Sequence, residues 1–131
     1  MYKMYINGKC VEGAGDKLEV TCPATGELLE TISTASIEQA DQALEAAQAA
    51  FPSWSRLSLN ERIGWMMKLK DACLAEKDVI VDLMAKEGGK SYKEAGNDFN
   101  AFISYFGYYA EEAKRVYGTD IPEYGGRRGN F

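Results

Sequence analysis

The segment SYKEAGNDFNAFISYFGYYAEEAKRVYG, residues 91–118, carries the longest helical pattern of the chain and decides its fold. Ser91 with Glu94 three positions later is a capping-box signature, and Gly118 is a residue type that ends helices. The pattern therefore predicts a helix over residues 92–117. Its apolar side chains form two stripes about 100° apart, one of Phe99, Phe102, Phe106, Ala110, Ala113 and Tyr117, the other of Ala101, Tyr105 and Tyr108.

Two helices are predicted further upstream from their own capping signatures. The first opens at Ser36, with Gln39 as its capping partner, and is expected to stop at Pro52 because proline interrupts the helical hydrogen bonds. The second opens at Ser58, with Glu61 as the partner. Both carry an apolar side that a core can cover.

A third, shorter helix is predicted from Asp78 to Glu87, with the pair Gly88–Gly89 as its terminator. The four helices together form one helical layer over residues 36–118. A helix that is apolar on two sides normally lies between two layers. The rest of this chain is able to supply only one of them.

Residues 4–32 predict two β-hairpins. Asn7–Gly8 suits a two-residue turn with positive φ, and PATG at 23–26 suits a longer one. The chain is therefore expected to be α+β, with two N-terminal hairpins, then about four helices, then an unstructured tail over residues 119–131. No linker divides the 131 residues into two domains.

Composition excludes several classes of function. The net charge of -5 and the pI of about 4.8 leave no basic surface for nucleic acid. No apolar run has the ~20 residues that a membrane span needs, and the start of the chain lacks a signal-peptide core. Three widely spaced cysteines form neither a metal motif nor a disulfide framework, which predicts a cytoplasmic protein.

No set of residues assembles a reaction from spacing alone. The chain has no histidine, so Cys10, Cys22 and Cys73 have no imidazole base, and Cys22 and Cys73 are interpreted as packing residues. The glycine-containing stretches GAGDKL, GGK and GGRRG lack the spacing of a phosphate-binding loop and are interpreted as flexible connections. The residues therefore predict neither a catalytic site nor a cofactor site.

The order of four motifs along the chain says more about function than composition and spacing do. MYINGKCVEG at 4–13, LEVTCPATGELLETISTAS at 18–36, AAFPSWS at 49–55 and YYAEEAKRVYG at 108–118 follow one another at a spacing that resembles the start of NAD(P)-dependent aldehyde dehydrogenases. The resemblance covers essentially the whole chain, and the last motif leans toward the semialdehyde-oxidising branch. Cys10 in place of Trp, Cys22 in place of Asn and EGGKS at 87–91 are local departures.

The resemblance implies that the chain is part of the α/β aldehyde dehydrogenase fold. In that family, an aldehyde is oxidised to a carboxylic acid by hydride transfer to NAD or NADP from an adduct on a cysteine. The nucleophile, the general base and the glycine-rich loop follow the segment that matches residue 131. The chain is therefore expected to be an inactive N-terminal fragment that binds no cofactor alone.

Two further expectations concern ligands and partners. Some family members hold a structural monovalent cation, and Val20, through its carbonyl, and Asp98 would be the matching positions. The second apolar stripe predicts a homo-oligomer, with no nucleic-acid or membrane partner and with an aldehyde substrate only in a complete enzyme. The alternative is a self-sufficient helical interaction module that reuses the same segment without catalysis.

Overall fold

A computed structural model describes residues 3–118, 120–124 and 127–130, the last two ranges as backbone only. Two hairpins come first and four helices follow, which confirms the predicted α+β order. The strands are β1 (Met4–Ile6), β2 (Lys9–Val11), β3 (Lys17–Thr21), β4 (Leu28–Ser33), β5 (Asp120–Tyr124) and β6 (Arg127–Asn130). The helices are α1 (Ile37–Ser55), α2 (Leu59–Ala75), α3 (Lys77–Gly88) and α4 (Tyr92–Ala113).

Both N-terminal hairpins form at the predicted turns. Asn7 and Gly8 have φ values of 50° and 78°, the signs that a type I′ turn requires, and β1 pairs with β2 across them. In the second hairpin the Cys22 carbonyl accepts hydrogen bonds from the backbone N–H groups of Thr25 at 3.3 Å and Gly26 at 2.8 Å. This turn closes the antiparallel pairing of β3 with β4.

The side chain of Gln39 connects the segment that follows the first hairpin to the start of α1 by hydrogen bonds. Its Oε1 accepts the backbone N–H of Ala14 at 2.8 Å and that of Ser36 at 3.1 Å, and its Nε2 donates to the Glu12 carbonyl at 2.8 Å. The predicted capping partner therefore also holds the link between β2 and β3. All three predicted capping boxes are present, at the starts of α1, α2 and α4.

The prediction that Pro52 stops the first helix is wrong. α1 continues through Pro52 to Ser55, because a proline in the final turns removes one N–H and leaves the other bonds in place. The Ser53 hydroxyl donates to the Ala50 carbonyl at 2.9 Å, and the Trp54 carbonyl still accepts the N–H of Leu57 at 3.2 Å. The third helix ends as predicted, with Gly89 left-handed at φ 60°.

The prediction of a helix over residues 92–117 is wrong at its end, because α4 ends at Ala113. Beyond it the N–H groups of Lys114 and Arg115 bond to the carbonyls three residues back, at 3.2 and 2.9 Å, which tightens and ends the helix. Gly118 has a positive φ of 84° but lies after this end. Tyr117 therefore does not belong to the helical stripe and is exposed.

The prediction of an unstructured tail over residues 119–131 is wrong for nine of those residues. β5 pairs with β6 antiparallel, with Asp120 opposite Asn130 and Tyr124 opposite Arg127. Two runs separated by a Gly-Gly pair are typical of a hairpin, and Ile121 and Tyr124 favour strands. Residues 119, 125, 126 and 131 of that prediction lie outside the described part of the chain.

The core of the described residues centres on Phe99. This ring is fully buried, as is Ala95 one turn before it, where α4 packs against α2 and α3. Ala85 of α3 and Ala110 of α4 extend the buried layer. One apolar stripe of α4 is thus covered, as predicted, except that Phe102 remains 42% exposed.

Candidate functional site

The two predicted cation ligands lie on different elements. Val20 in β3 lines a groove of about 520 Å³ between the second hairpin and α3, and Asp98 is not among the residues that line it. The Asp98 carboxylate instead accepts a hydrogen bond from Lys90 Nζ at 2.6 Å. That bond and the negative charge raise the pKa of Lys90. Within the described residues no group of three His, Cys, Asp or Glu side chains could hold a metal ion, and the cation site stays a prediction.

One polar network borders the groove beside Val20. Asp82 Oδ2 accepts a hydrogen bond from Lys86 Nζ at 2.7 Å, and Oδ1 accepts the Tyr92 hydroxyl at 2.7 Å. The bond from Lys86 and then that from Tyr92 lower the pKa of Asp82, so this carboxylate stays ionised and is a weak base. The apolar floor of Leu29, Ile32 and Leu83 offers no nucleophile. Asp82 therefore acts as a hydrogen-bond acceptor in this network.

The cysteines do not form a nucleophilic site. Cys10 is exposed, Cys73 is half-buried and Cys22 is buried in the turn after β3. Hydrogen bonds from the Thr25 side chain and then from the backbone of Thr25 and Ala24 lower the pKa of the Cys22 thiol. An 8% exposed thiol in a sequence without histidine has neither access for a substrate nor an imidazole to activate it. Its burial agrees with a packing role.

Four aromatic side chains on the outer side of α4 make the most distinctive exposed surface. We call Phe102, Tyr105, Tyr108 and Tyr109 the tyrosine face. Tyr105, Tyr108 and Tyr109 are 56%, 61% and 56% exposed. Their rings touch one another, with centroids 6.1 Å apart for Tyr105 and Tyr109 and 5.2 Å apart for Tyr108 and Tyr109. None of the three hydroxyls has a hydrogen-bond partner within the part of the chain whose side chains are described.

A small apolar cavity marks the edge of the tyrosine face. It measures about 150 Å³ and lies between Met66 of α2 and the α4 rings Phe102, Tyr105, Phe106 and Tyr109. The sequence predicted the exposed second stripe through Tyr105 and Tyr108 but assigned Phe102 to the core and left out Tyr109. Residues 102, 105 and 109 are spaced by three and four, which places them side by side on a helix, and this spacing could have predicted that they share one face.

The starts of the helices do not offer a phosphate site for a dinucleotide. At α1, α2 and α4 one N–H of the first turn, that of Gln39, Glu61 or Glu94, already bonds to the side chain of the capping residue Ser36, Ser58 or Ser91. The start of α3 has no side-chain cap, but its N-cap residue is Glu76 and its first turn contains Asp78. The second member of the box is a carboxylate at α2 and α4, which would repel an anion. No helix in the described part of the chain has the length and apolar character to cross a bilayer.

The chain matches a family and several of its members. The model of the aldehyde dehydrogenase family matches residues 10–130. The mitochondrial succinate-semialdehyde dehydrogenase of Oryza sativa subsp. japonica is 40% identical over 118 residues, which are 89% of this chain and 22% of that protein. The glutarate-semialdehyde dehydrogenase of Pseudomonas putida is 35% identical over 90% of this chain and 25% of that protein.

A solved structure shows the same arrangement. PnpE in complex with nicotinamide adenine dinucleotide superposes with a TM-score of 0.83 at 27% identity, over 98% of this chain and 27% of that chain. The chain therefore spans about a quarter of the length of the relatives it matches. Within that quarter, the hairpins and the helical layer described above are the shared fold.

Proposed function

Because this chain belongs to the aldehyde dehydrogenase family, we propose that it is the N-terminal part of an oxidoreductase that converts an aldehyde to a carboxylic acid with NAD or NADP. The observation that carries the proposal is the match over residues 10–130. The shared arrangement of hairpins and helices supports it, since a match of sequence and fold over one continuous segment is specific.

The substrate we propose is a short aldehyde that carries a carboxylate at its other end. The relatives named for succinate semialdehyde and glutarate semialdehyde support this choice, as does the motif YYAEEAKRVYG. The NAD in the complex of PnpE supports a nicotinamide cofactor for the whole enzyme.

The role of this part is to supply structure. The starts of α1, α2 and α4 carry capping side chains, α3 begins with the carboxylates of Glu76 and Asp78, and the thiol of Cys22 is buried, so the described residues fit neither a dinucleotide phosphate nor a nucleophilic site. We propose that residues 1–131 alone are inactive and bind no cofactor, and that they form a helical layer on which the remaining enzyme packs.

The proposal is tested with two proteins. The isolated 131-residue chain, cleared of host enzymes, is expected to produce no NADH or NADPH from succinate or glutarate semialdehyde. A chimera that carries this chain in place of the matched quarter of the Pseudomonas putida relative is expected to fold and to oxidise its aldehyde. An unfolded, inactive chimera would contradict the proposed function, and so would turnover by the isolated chain that disappears when its three cysteines are changed to serine.

A second candidate, from another class, is a helical interaction module without catalysis. The tyrosine face favours it, because a patch of contiguous exposed rings marks a contact surface. Under either candidate we propose that the isolated chain self-associates through α4. A chain that stays monomeric and makes no chimera active would leave neither candidate supported.

A further inference from the structure

We propose that a cavity between the first hairpin and α1 binds a small zwitterion, an ω-amino acid whose ammonium and carboxylate groups lie at opposite ends of an apolar chain. We call this space of about 490 Å³ the hairpin cavity. It shares no lining residue with the groove beside Val20 or with the tyrosine face. The site adds a ligand class that the oxidation of an aldehyde does not require.

The hairpin cavity has the size and the wall composition of a small-molecule site. Pockets that bind small ligands measure about 300–1,000 Å³ and combine apolar walls with a few polar groups. Ile6 and Val11 line this cavity from the hairpin, and Ala46 and Ala49 line it from α1. An alkyl chain that lies between these two walls displaces water from apolar surface, which is favourable.

Four polar side chains with unused hydrogen-bonding groups line the same cavity. They are Asn7, Lys9, Gln42 and Glu45. Within residues 3–118, whose side chains the structure describes, none of the four has a hydrogen-bond or ion-pair partner. Lys9 on the hairpin and Glu45 on α1 therefore have opposite charges in one cavity without bonding to each other. A ligand with one group of each charge can bond to both.

The groove beside Val20 lacks this property. Its Asp82 carboxylate already accepts hydrogen bonds from Lys86 and Tyr92. A charged ligand in that groove would have to compete with bonds that the protein makes within itself. In the hairpin cavity the charged groups of the protein are available, so a ligand gains bonds without breaking any in the described part of the chain.

The two walls of the hairpin cavity are held in position by the amide of Gln39, which also lines the cavity. This side chain bonds to the backbone of Glu12 and Ala14 after the hairpin, and to the backbone of Ser36 at the start of α1. The hairpin and the helix are therefore connected before a ligand arrives. A preformed site loses less conformational entropy on binding than one that the ligand must assemble.

The position of the charges selects the class of amino acid. Because Lys9 and Glu45 belong to opposite walls, we expect the ligand carboxylate at Lys9 Nζ and the ligand ammonium at the Glu45 carboxylate. An α-amino acid has both charged groups next to one carbon atom, whereas an ω-amino acid separates them by its methylene chain. The amides of Asn7 and Gln42 offer further donors and acceptors. Since exposed ion pairs each contribute little, we expect a Kd on the order of millimolar.

The test measures binding of ε-aminocaproate, an unbranched ω-amino acid, to the 131-residue chain by NMR titration of the backbone amides. Saturable shifts are expected at both walls, near Lys9 and near Glu45. The melting temperature is expected to rise, because a ligand that binds only the folded protein stabilises it. Hexylamine and caproate have chains of equal length and one charge each. We expect them to bind roughly fivefold more weakly, the scale of one exposed ion pair.

Exchange of the two charges gives a sharper test. Lys9→Glu and Glu45→Lys, each alone, are expected to weaken binding of ε-aminocaproate by roughly fivefold or more, because one end of the ligand then meets a like charge. The double variant Lys9→Glu with Glu45→Lys is expected to regain binding, since the ligand can turn end for end. Lys93→Glu is the matched control, because Lys93 is an exposed lysine of α4 that does not line the cavity. Circular dichroism checks that all variants remain folded.

Three results would overturn the proposal. Amide shifts that do not saturate at millimolar concentrations would mean that the hairpin cavity is a hydrated groove without a site. Equal binding of hexylamine or caproate would mean that only the apolar chain is held. A folded double variant that does not regain binding would mean that Lys9 and Glu45 do not hold the two ends. An active chimera is compatible with each of these results, so the proposed function is tested separately.

Discussion

At the scale of single residues, the closest backbone approach is made by the glycines between the two hairpins. A Cβ on Gly13 would lie 2.3 Å from the Ser33 carbonyl oxygen and 2.4 Å from that of Thr34. Hydrogen bonds of 2.8 Å from Gly15 N to the Thr34 carbonyl, and from Thr34 N to the Asp16 carbonyl, hold the two segments together. Neither segment can move away without losing these bonds.

We therefore expect Gly13→Ala to lower the free energy of unfolding by about 1–3 kcal/mol, the cost of forcing atoms into a packed contact. Gly64→Ala is the matched control, since a Cβ there meets nothing within 4 Å in the middle of α2. That change is expected to add about 0.5–1 kcal/mol, because alanine favours the helix over glycine. Urea unfolding of both variants measures the difference. A neutral Gly13→Ala would show that this contact is looser than described.

At the scale of elements, the helix starts were predictable and the helix ends were not. A capping box is local, so Ser36, Ser58 and Ser91 could be identified from the residue three positions later. Where α1 ends depends on whether the helical hydrogen bonds around Pro52 still form although proline itself has no backbone N–H to donate. The last hairpin was missed because its glycines were interpreted as flexible connections.

The candidate surface was predicted in part. Tyr105 and Tyr108 were identified from the sequence as a second apolar stripe, whereas the exposure of Phe102 depends on how α2 packs.

Two of the capping boxes make stability depend on pH. Hydrogen bonds from the side chain and then the backbone of Ser91 lower the pKa of Glu94 below its ordinary value of 4.5, and Ser58 does the same for Glu61. A carboxylate with a lowered pKa in the folded state contributes stability that is present above pH 4.5 and is lost as the pH falls below it. The box of α1 has the uncharged Gln39, but the neighbouring Glu38 has a pKa lowered by a hydrogen bond from its own backbone N–H and then by one from the Ser36 side chain.

We expect the free energy of unfolding to decrease as the pH falls below 4.5, and to decrease less steeply in the double variant Glu61→Gln and Glu94→Gln. Glutamine keeps the hydrogen-bond acceptor of the box without its titration. Urea unfolding at pH 7, 5, 4 and 3.5 compares the two proteins. Equal slopes in the wild type and the variant would mean that other carboxylates, such as Asp82, carry the whole effect.

At the scale of the whole molecule, a core that has one fully buried large ring among residues 3–118 is combined with an uncovered aromatic surface. An aromatic side chain can bury about 150–250 Å², so the four roughly half-exposed rings of the tyrosine face offer on the order of 300–500 Å². That area is enough for a weak association between copies and not for a tight one. The net charge of -5 opposes this association only slightly at physiological salt.

We expect sedimentation equilibrium to show a monomer and a dimer in exchange at micromolar to millimolar concentrations. Tyr105→Ser with Tyr108→Ser should shift the mixture toward monomer, and Tyr5→Ser should not. A strict monomer at high micromolar concentration would contradict self-association through α4.

The first hairpin turn also affects how fast Asn7 loses its side-chain amide by deamidation. Asn7 precedes a glycine, and the backbone nitrogen of Gly8 can attack the side-chain carbonyl carbon of Asn7. The side-chain amide leaves as ammonia, and water then opens the cyclic imide to aspartate or isoaspartate. Cyclisation requires rotation about the Cα–C bond of Asn7 to bring the Gly8 nitrogen to the side-chain carbon, and the pairing of β1 with β2 across the turn restricts that rotation. We therefore expect deamidation at Asn7 to be slower in the native protein than in urea, as peptide mass spectrometry of incubated samples would show. Equal rates would mean that this turn opens freely in the folded chain. An isoaspartate there would lengthen the main chain by one atom and break the pairing of Ile6 with Lys9.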